Sequence, residues 1–162
     1  MTFFSVWFVP FAVRFCLVVM FPLSGYDKIA HWDEAMGQAR GGPVPAPALM
    51  LIAAIAIEIV TPICIVIGWH DRLAAFVLAG FCVVTALLYH PFWNFPDFWS
   101  KNGEGRSHLW DFLKNFGLVG GLMLVVIGGA PVSAVQVARH PLSAMPYAAQ
   151  PLTPAAPQPL NK

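Results

Sequence analysis

Residues 48–69, ALMLIAAIAIEIVTPICIVIGW, decide the fold. The run carries one charge, Glu58, and one step that weakens a helix, Thr61-Pro62. At 1.5 Å per residue it reaches about 33 Å, enough to cross the hydrocarbon core of a bilayer. Three further runs share this character. Residues 3–23 are apolar apart from Ser5 and Arg14. Residues 73–89 hold no charge and reach about 26 Å. A helix starting near Leu109 supplies the last span, over 113–132. The first run is not read as a signal peptide, because no Lys or Arg precedes it, Arg14 interrupts it, and no small-x-small site follows.

The connections have loop chemistry. Residues 24–47 are polar and end in Gly41-Gly42-Pro43-Val44-Pro45, His70-Asp71-Arg72 makes a tight link, and Pro91 and Pro96 discourage continuation of the third span. All six tryptophans (Trp7, Trp32, Trp69, Trp93, Trp99 and Trp110) fall near the expected ends of spans, where an apolar ring with one N–H sits best.

Composition agrees. Of 162 residues, 58% are hydrophobic and 10% charged, whereas a soluble domain is about one quarter charged. No remaining stretch is long enough for a soluble catalytic domain. A net charge of +1 excludes a basic nucleic-acid binder. The expected architecture is an all-α membrane protein: a four-helix transmembrane bundle over 1–137 with short loops, then a Pro/Ala-rich tail over 138–162. With six prolines in its last 22 residues, that tail is expected to be extended, and disordered unless a partner binds it. Five cations on the first and third loops (Lys28, Arg40, Lys101, Arg106, Lys114) against three on the other side (Arg72, Arg139, Lys162) leave the orientation open.

Charges inside spans need a reason. Arg14 and Glu58 lie near the middle of the first two runs and are expected to face inward and pair. The pair is either a structural lock on helix register, or a proton site or ligand anchor. A second polar group gathers at one membrane face: Ser24 to Lys28 at the end of the first span, His90 at the end of the third, and Lys114-Asn115 at the start of the fourth. Ser24, Lys28, His90, Lys114 and Asn115 are candidates to ring a pocket for an anionic or carbonyl-bearing ligand, such as a quinone head group or a sulfur oxyanion. The alternative is lysines that snorkel to lipid phosphates and a histidine that caps a helix. Gly117 and Gly121 form a GxxxG pair suited to close helix packing. The aromatic stretch from Tyr89 to Trp99 is expected to lie at the membrane surface.

Other cofactors find little support. Cys16, Cys64 and Cys82 sit in three different spans with no CxxC, which argues against thiol–disulfide chemistry. The five histidines lie in loops or at helix ends, so haem between two histidines is not expected. No ligand spacing suggests a metal, and no covalently bound cofactor is expected.

Taken in order, mid-helix Arg14, Ser24-Gly25-x-x-Lys28, mid-helix Glu58, Tyr89-His90-x-Phe92 and Lys114-Asn115 with Gly120-Gly121 resemble the DoxX family over about residues 10–130. The resemblance implies a small four-helix protein of the bacterial inner membrane. Some members of that family are the small subunit of a thiosulfate:quinone oxidoreductase, and others are linked to membrane oxidoreductase complexes. It further implies that Arg14, Lys28, Glu58, His90, Lys114 and Asn115 form a polar core. Two functions follow as expectations. One is a quinone-linked oxidoreductase or respiratory-chain subunit whose electrons come from a partner. The other is a non-catalytic accessory or assembly subunit docked on a larger membrane complex through its helices and tail. Whether the chain is itself an enzyme stays open; lipids, a larger complex and quinone are its expected partners.

Overall fold

The computed structural model describes residues 8–100 and 103–127. Residues 3–7, the end of the expected fourth span and the expected tail over 138–162 lie outside the described residues. Six α-helices follow in order: α1 (Val9–Val18), α2 (Met20–Ala30), α3 (Trp32–Gly41), α4 (Pro47–Ile67), α5 (Asp71–Tyr89) and α6 (Glu104–Ile127). A 3-10 turn, Phe92–Asn94, lies between α5 and α6. Among the described residues, four helices are long and apolar enough to cross a membrane, with α1 and α2 together making the first as Val9–Ala30.

Proline explains where these helices start and where the first span is interrupted. Pro10 opens α1 and Pro47 opens α4, where the missing N–H would have no helical partner anyway. Pro22 lies inside the first span, lacks an N–H for the Val18 carbonyl and crowds it, and the helix is interrupted at Val19 just there. Pro62 lies inside α4, which runs on through it, and leaves the carbonyl of Glu58 without its usual donor. The link to α5 is short because Gly68 takes a left-handed φ of 75°, which a side chain disfavours, and lets Trp69 donate to the Cys64 carbonyl at 2.9 Å.

The first span therefore runs past residue 23 and ends at Ala30, which shifts the depth of everything on it. Arg14 is only about 8 Å along the axis from Val9, near one end, while Ser24 and Lys28 fall within the helical span. The second expectation that changes is the loop over 24–47. It contains α3, an amphipathic helix with Asp33 and Glu34 in its first turn and Arg40 in its last, as the helix dipole favours. Met36 and Ala39 of α3 are buried against Leu51 and Ile55 of α4. The helical spacing of Trp32, Ala35, Met36 and Ala39 carries that signal, diluted by neighbouring polar residues.

The core is centred on α5. Ala75, Leu78, Ala79, Cys82 and Ala86 are buried along one face, joined by Val18, Phe21, Ile65 and Leu122 from the other spans. Alanines on that face let α4 and α6 approach closely, which matters where lipid supplies no hydrophobic drive between helices. The GxxxG expectation divides. A Cβ on Gly121 would come 2.8 Å from Leu17 Cδ1, so Gly121 does allow α1 and α6 to meet. Gly117 is exposed, and a Cβ there would meet nothing within 4 Å, so it takes no part in helix packing. The two glycines are four residues apart, about 40° of rotation, and the bundle contact falls on one side of that difference.

The aromatic stretch folds back on α6. Phe92 and Trp93 meet Phe112 at 5.2 and 5.8 Å between ring centroids, and Phe95 stacks on His108 at 4.8 Å.

Candidate functional site

The first two spans run antiparallel, and this decides which charges meet. Arg14 lies level with the turn at Gly68, and its guanidinium donates to the Ile65 carbonyl at 3.3 Å and to Asp71 Oδ2 at 2.6 Å. Glu58, halfway along α4, lies level with Gly25 and faces Ser24 and Lys28. The expected Arg14–Glu58 pair is therefore not formed. Two charges central in their own sequence runs end at different depths, because the first span is displaced along the chain relative to those runs. Asp71, the true partner of Arg14, sits in the first turn of α5, where an acidic residue is favoured by the helix dipole.

The Arg14–Asp71 bridge ties the first span to the α4–α5 link. The two side chains keep 32% and 24% exposure, so its contribution is reduced by solvent. Arg14→Leu is expected to lower stability by about 1 kcal/mol, read as a lower unfolding midpoint in detergent. Unchanged midpoints in both Arg14→Leu and Asp71→Asn would show that the bridge contributes nothing.

The second pair is built more tightly. Lys28 Nζ donates to Glu58 Oε1 at 2.8 Å, to Oε2 at 2.7 Å and to Ser24 Oγ at 2.7 Å, which uses all three ammonium hydrogens. Ser24 in turn donates to Glu58 Oε1 at 3.3 Å. The Glu58 side chain is only 6% exposed and that of Lys28 is 28% exposed. Gly25 permits the arrangement, since a Cβ there would stand 3.0 Å from Ile59 Cγ1 and 3.4 Å from Glu58 Cβ. The Ser24-Gly25-x-x-Lys28 motif thus has a physical meaning. The glycine lets α2 lie against α4, and serine and lysine one turn apart grip a carboxylate on it.

This ion pair forms the polar floor of a cleft of about 470 Å³ between α2, α3, α4 and α5. The walls are apolar, from Phe21, Ala54, Ile57, Phe81 and Leu88. His90 and Asn115 complete the polar lining, so five of the expected residues, Ser24, Lys28, Glu58, His90 and Asn115, come together. Lys114 does not line the cleft. Its side chain is 72% exposed and turned to Asp111 Oδ1 at 2.9 Å, an i,i+3 pair on α6. Gln38 and Thr85 also line the cleft, neither of them singled out by the sequence, and so does Tyr89, which the sequence marks only as part of the Tyr89-His90-x-Phe92 motif. Gln38 lies on α3, a helix in a stretch whose composition reads as loop.

His90 Nδ1 is buried with no hydrogen-bond partner among the described residues; the nearest carboxylate oxygen, Asp111 Oδ2, is 4.0 Å away. Asn115 spends one amide hydrogen on the Asp111 carbonyl at 2.9 Å and keeps the other. The cleft therefore has a saturated ion pair at its floor and uncommitted polar groups in its lining. Among the described residues no cluster of three or more His, Cys, Asp or Glu is placed to hold a metal.

The order and depth of these polar residues along four spans can be set against known proteins. The family model described as DoxX matches residues 9–91, which include Arg14, the Lys28–Glu58 pair and His90. The chain belongs to the DoxX family. It is 26% identical over 116 residues to the inner membrane protein YphA of Escherichia coli strain K12, covering 72% of this chain and 79% of that protein. It is 30% identical over 122 residues to the inner membrane protein YqjF of the same strain, covering 72% and 80%. No solved structure matches the chain significantly. Four spanning helices and these DoxX relatives make the protein an integral, multi-pass protein of the inner membrane.

Proposed function

We propose that this DoxX protein binds the polar head of a quinone-type carbonyl compound in the α2–α5 cleft and serves as a quinone-handling subunit of a membrane oxidoreductase. The observation that carries the reading is the Lys28–Glu58 pair, with its carboxylate buried, at the floor of an accessible, largely apolar cavity. Ionisable groups at membrane depth are expensive, and where they line a cavity they mark a ligand or proton path. A quinone has apolar substituents for the walls and carbonyl oxygens that accept hydrogen bonds. His90 and the free amide hydrogen of Asn115 are among the groups in the lining with hydrogen-bonding capacity to spare, as are the Gln38 amide and the Tyr89 hydroxyl. Lys28 has none left while it holds Glu58, so the pair acts as a fixed, neutralised floor that orients the head group by its field. A quinone contributes two-electron, two-proton redox chemistry when bound, and the electrons come from a partner subunit. The chain's own residues bind and orient the head and exclude bulk water from it.

A photoreactive quinone added to the protein in its native membrane tests this. Labelling is expected on α5 near His90 or on the facing part of α2, competed by unmodified quinone. His90→Leu combined with Asn115→Leu should weaken binding by about tenfold, as two lost hydrogen bonds imply. Labelling confined to lipid-facing residues outside the cleft would refute the reading.

A further inference from the structure

The first turns of α6 carry a second pocket, of about 260 Å³, lined by Trp99, Arg106, Leu109 and Trp110. It lies apart from the α2–α5 cleft and shares no lining residue with it. One lining residue, Arg106, has no counterion among the described residues. Three cations in the described part are half-buried: Arg14, Lys28 and Arg106. Arg14 is paired with Asp71 and Lys28 with Glu58. All eight Asp and Glu residues of the chain lie within the described residues, and none comes within 4.0 Å of the Arg106 guanidinium. Even Glu104, two residues away, does not pair with it.

The surroundings are donors as well. Arg106 carries five N–H groups and no acceptor, and each indole carries one N–H. Neither Trp99 nor Trp110 spends its N–H on an acceptor among the described residues. Among the described residues the polar side chains of the pocket are all donors, one of them a fixed positive charge, which fits an acceptor-rich anion, and the arginine fork matches two oxygens of a phosphate.

Position says where that phosphate comes from. The first half of α6 is charged, with Glu104, Arg106, Asp111 and Lys114, whereas residues 115–127 hold no charge. At 24 residues α6 is about 36 Å long and exceeds the hydrocarbon core, so its charged start stands at headgroup level. Trp99 and Trp110, 77% and 49% exposed, suit the same level. Below the pocket, positions 113, 117, 120 and 124 continue the face of Arg106 and Trp110 at helical spacing. Leu113 and Leu124 are exposed there, and Gly117 and Gly120 between them are exposed with nothing within 4 Å of where a Cβ would stand. The result is a shallow, smooth apolar track leading away from the pocket toward the membrane centre, which suits an acyl chain. A free phosphate ion has no use for such a track.

We infer that Arg106, Trp99 and Trp110 form a binding site for the phosphodiester of an anionic phospholipid, with one acyl chain laid along the Leu113–Gly117–Gly120–Leu124 face of α6. The inference stands independently of any ligand in the α2–α5 cleft.

The test is intact-protein mass spectrometry of the full chain in mild detergent, titrated separately with phosphatidylglycerol, phosphatidylcholine and sn-glycerol 3-phosphate. Phosphatidylglycerol is expected to be retained about fivefold more tightly than phosphatidylcholine, the fold-change that corresponds to ~1 kcal/mol for one basic residue acting on anionic lipid. Arg106→Gln should remove that preference. Trp99→Ala, at an exposed position where folding is not at stake, should weaken retention in the same direction. Lys114→Gln, which removes a cation already paired with Asp111, should leave it unchanged. Equal retention of phosphatidylglycerol by the Arg106→Gln variant and the parent would overturn the site. Retention of sn-glycerol 3-phosphate as tight as that of the lipid would overturn the phospholipid assignment, because the acyl track would then contribute nothing.

Discussion

Glu58→Ala is expected to destabilise the bundle by about 3 kcal/mol, because it leaves the half-buried Lys28 ammonium without its counterion. Lys28→Met should act similarly by stranding the carboxylate, whose side chain is only 6% exposed. The two effects are not additive. The double variant Lys28→Met, Glu58→Met fills the space with apolar side chains of similar length and leaves no unpaired charge, so its stability should return close to that of the parent. Unfolding midpoints in detergent micelles measure all three. If each single variant matches the parent, the pair does not hold the helices together. The double variant also separates two roles that sequence alone left joined: a bundle that folds normally but loses quinone labelling makes the pair a ligand-site feature, and one that retains labelling makes it a structural lock.

A pair of glycine substitutions on one helix is expected to have opposite signs. Gly105 is buried in the first turn of α6, where a Cβ would lie 2.5 Å from Phe95 Cβ and 2.8 Å from Phe98 Cα. A backbone atom cannot rotate away, so Gly105→Ala must push the 3-10 turn and its following loop off α6. The expected loss is about 1–3 kcal/mol, as for other overpacked sites. It should also disturb the stacking of Phe95 on His108, and His108 lies 5.7 Å from the His90 ring in the cleft lining. Gly117→Ala, by contrast, meets nothing, and the gain in helix propensity should raise stability by about 0.5–1 kcal/mol. Thermal unfolding of both variants side by side checks the contrast. A stabilising Gly105→Ala would mean that the loop does not rest on α6.

The spans were legible in the sequence because a bilayer imposes a length and an apolar composition on any helix that crosses it, and both can be counted along the chain. The family resemblance was legible for a related reason: the order of polar interruptions along those spans survives in the one-dimensional string. Helix ends were less so. The first span gained Ser24 to Ala30 because a continuous helix tolerates Ser, Asp and Lys once they find partners, and no residue-by-residue hydropathy reading contains those partners. α3 was missed because a ten-residue interfacial helix buries only a thin stripe, here Met36 and Ala39.

Partnership between charges was the part that sequence did not determine. Arg14 and Glu58 each sit in the middle of an apolar run, and adjacency in sequence suggested that they meet. Which residues come level depends on where two antiparallel helices begin, and a shift of a few residues moves a charge by several ångströms. The same rule separated Gly121, which touches Leu17, from Gly117, which faces outward. Sequence alone determined that this is a four-span membrane protein with scarce, costly charges. Tertiary structure decided that Glu58 belongs to Lys28 and Arg14 to Asp71, and that Arg106 has no counterion among the described residues, because the pairing of charges is set by helix offset and rotation, which only packing defines.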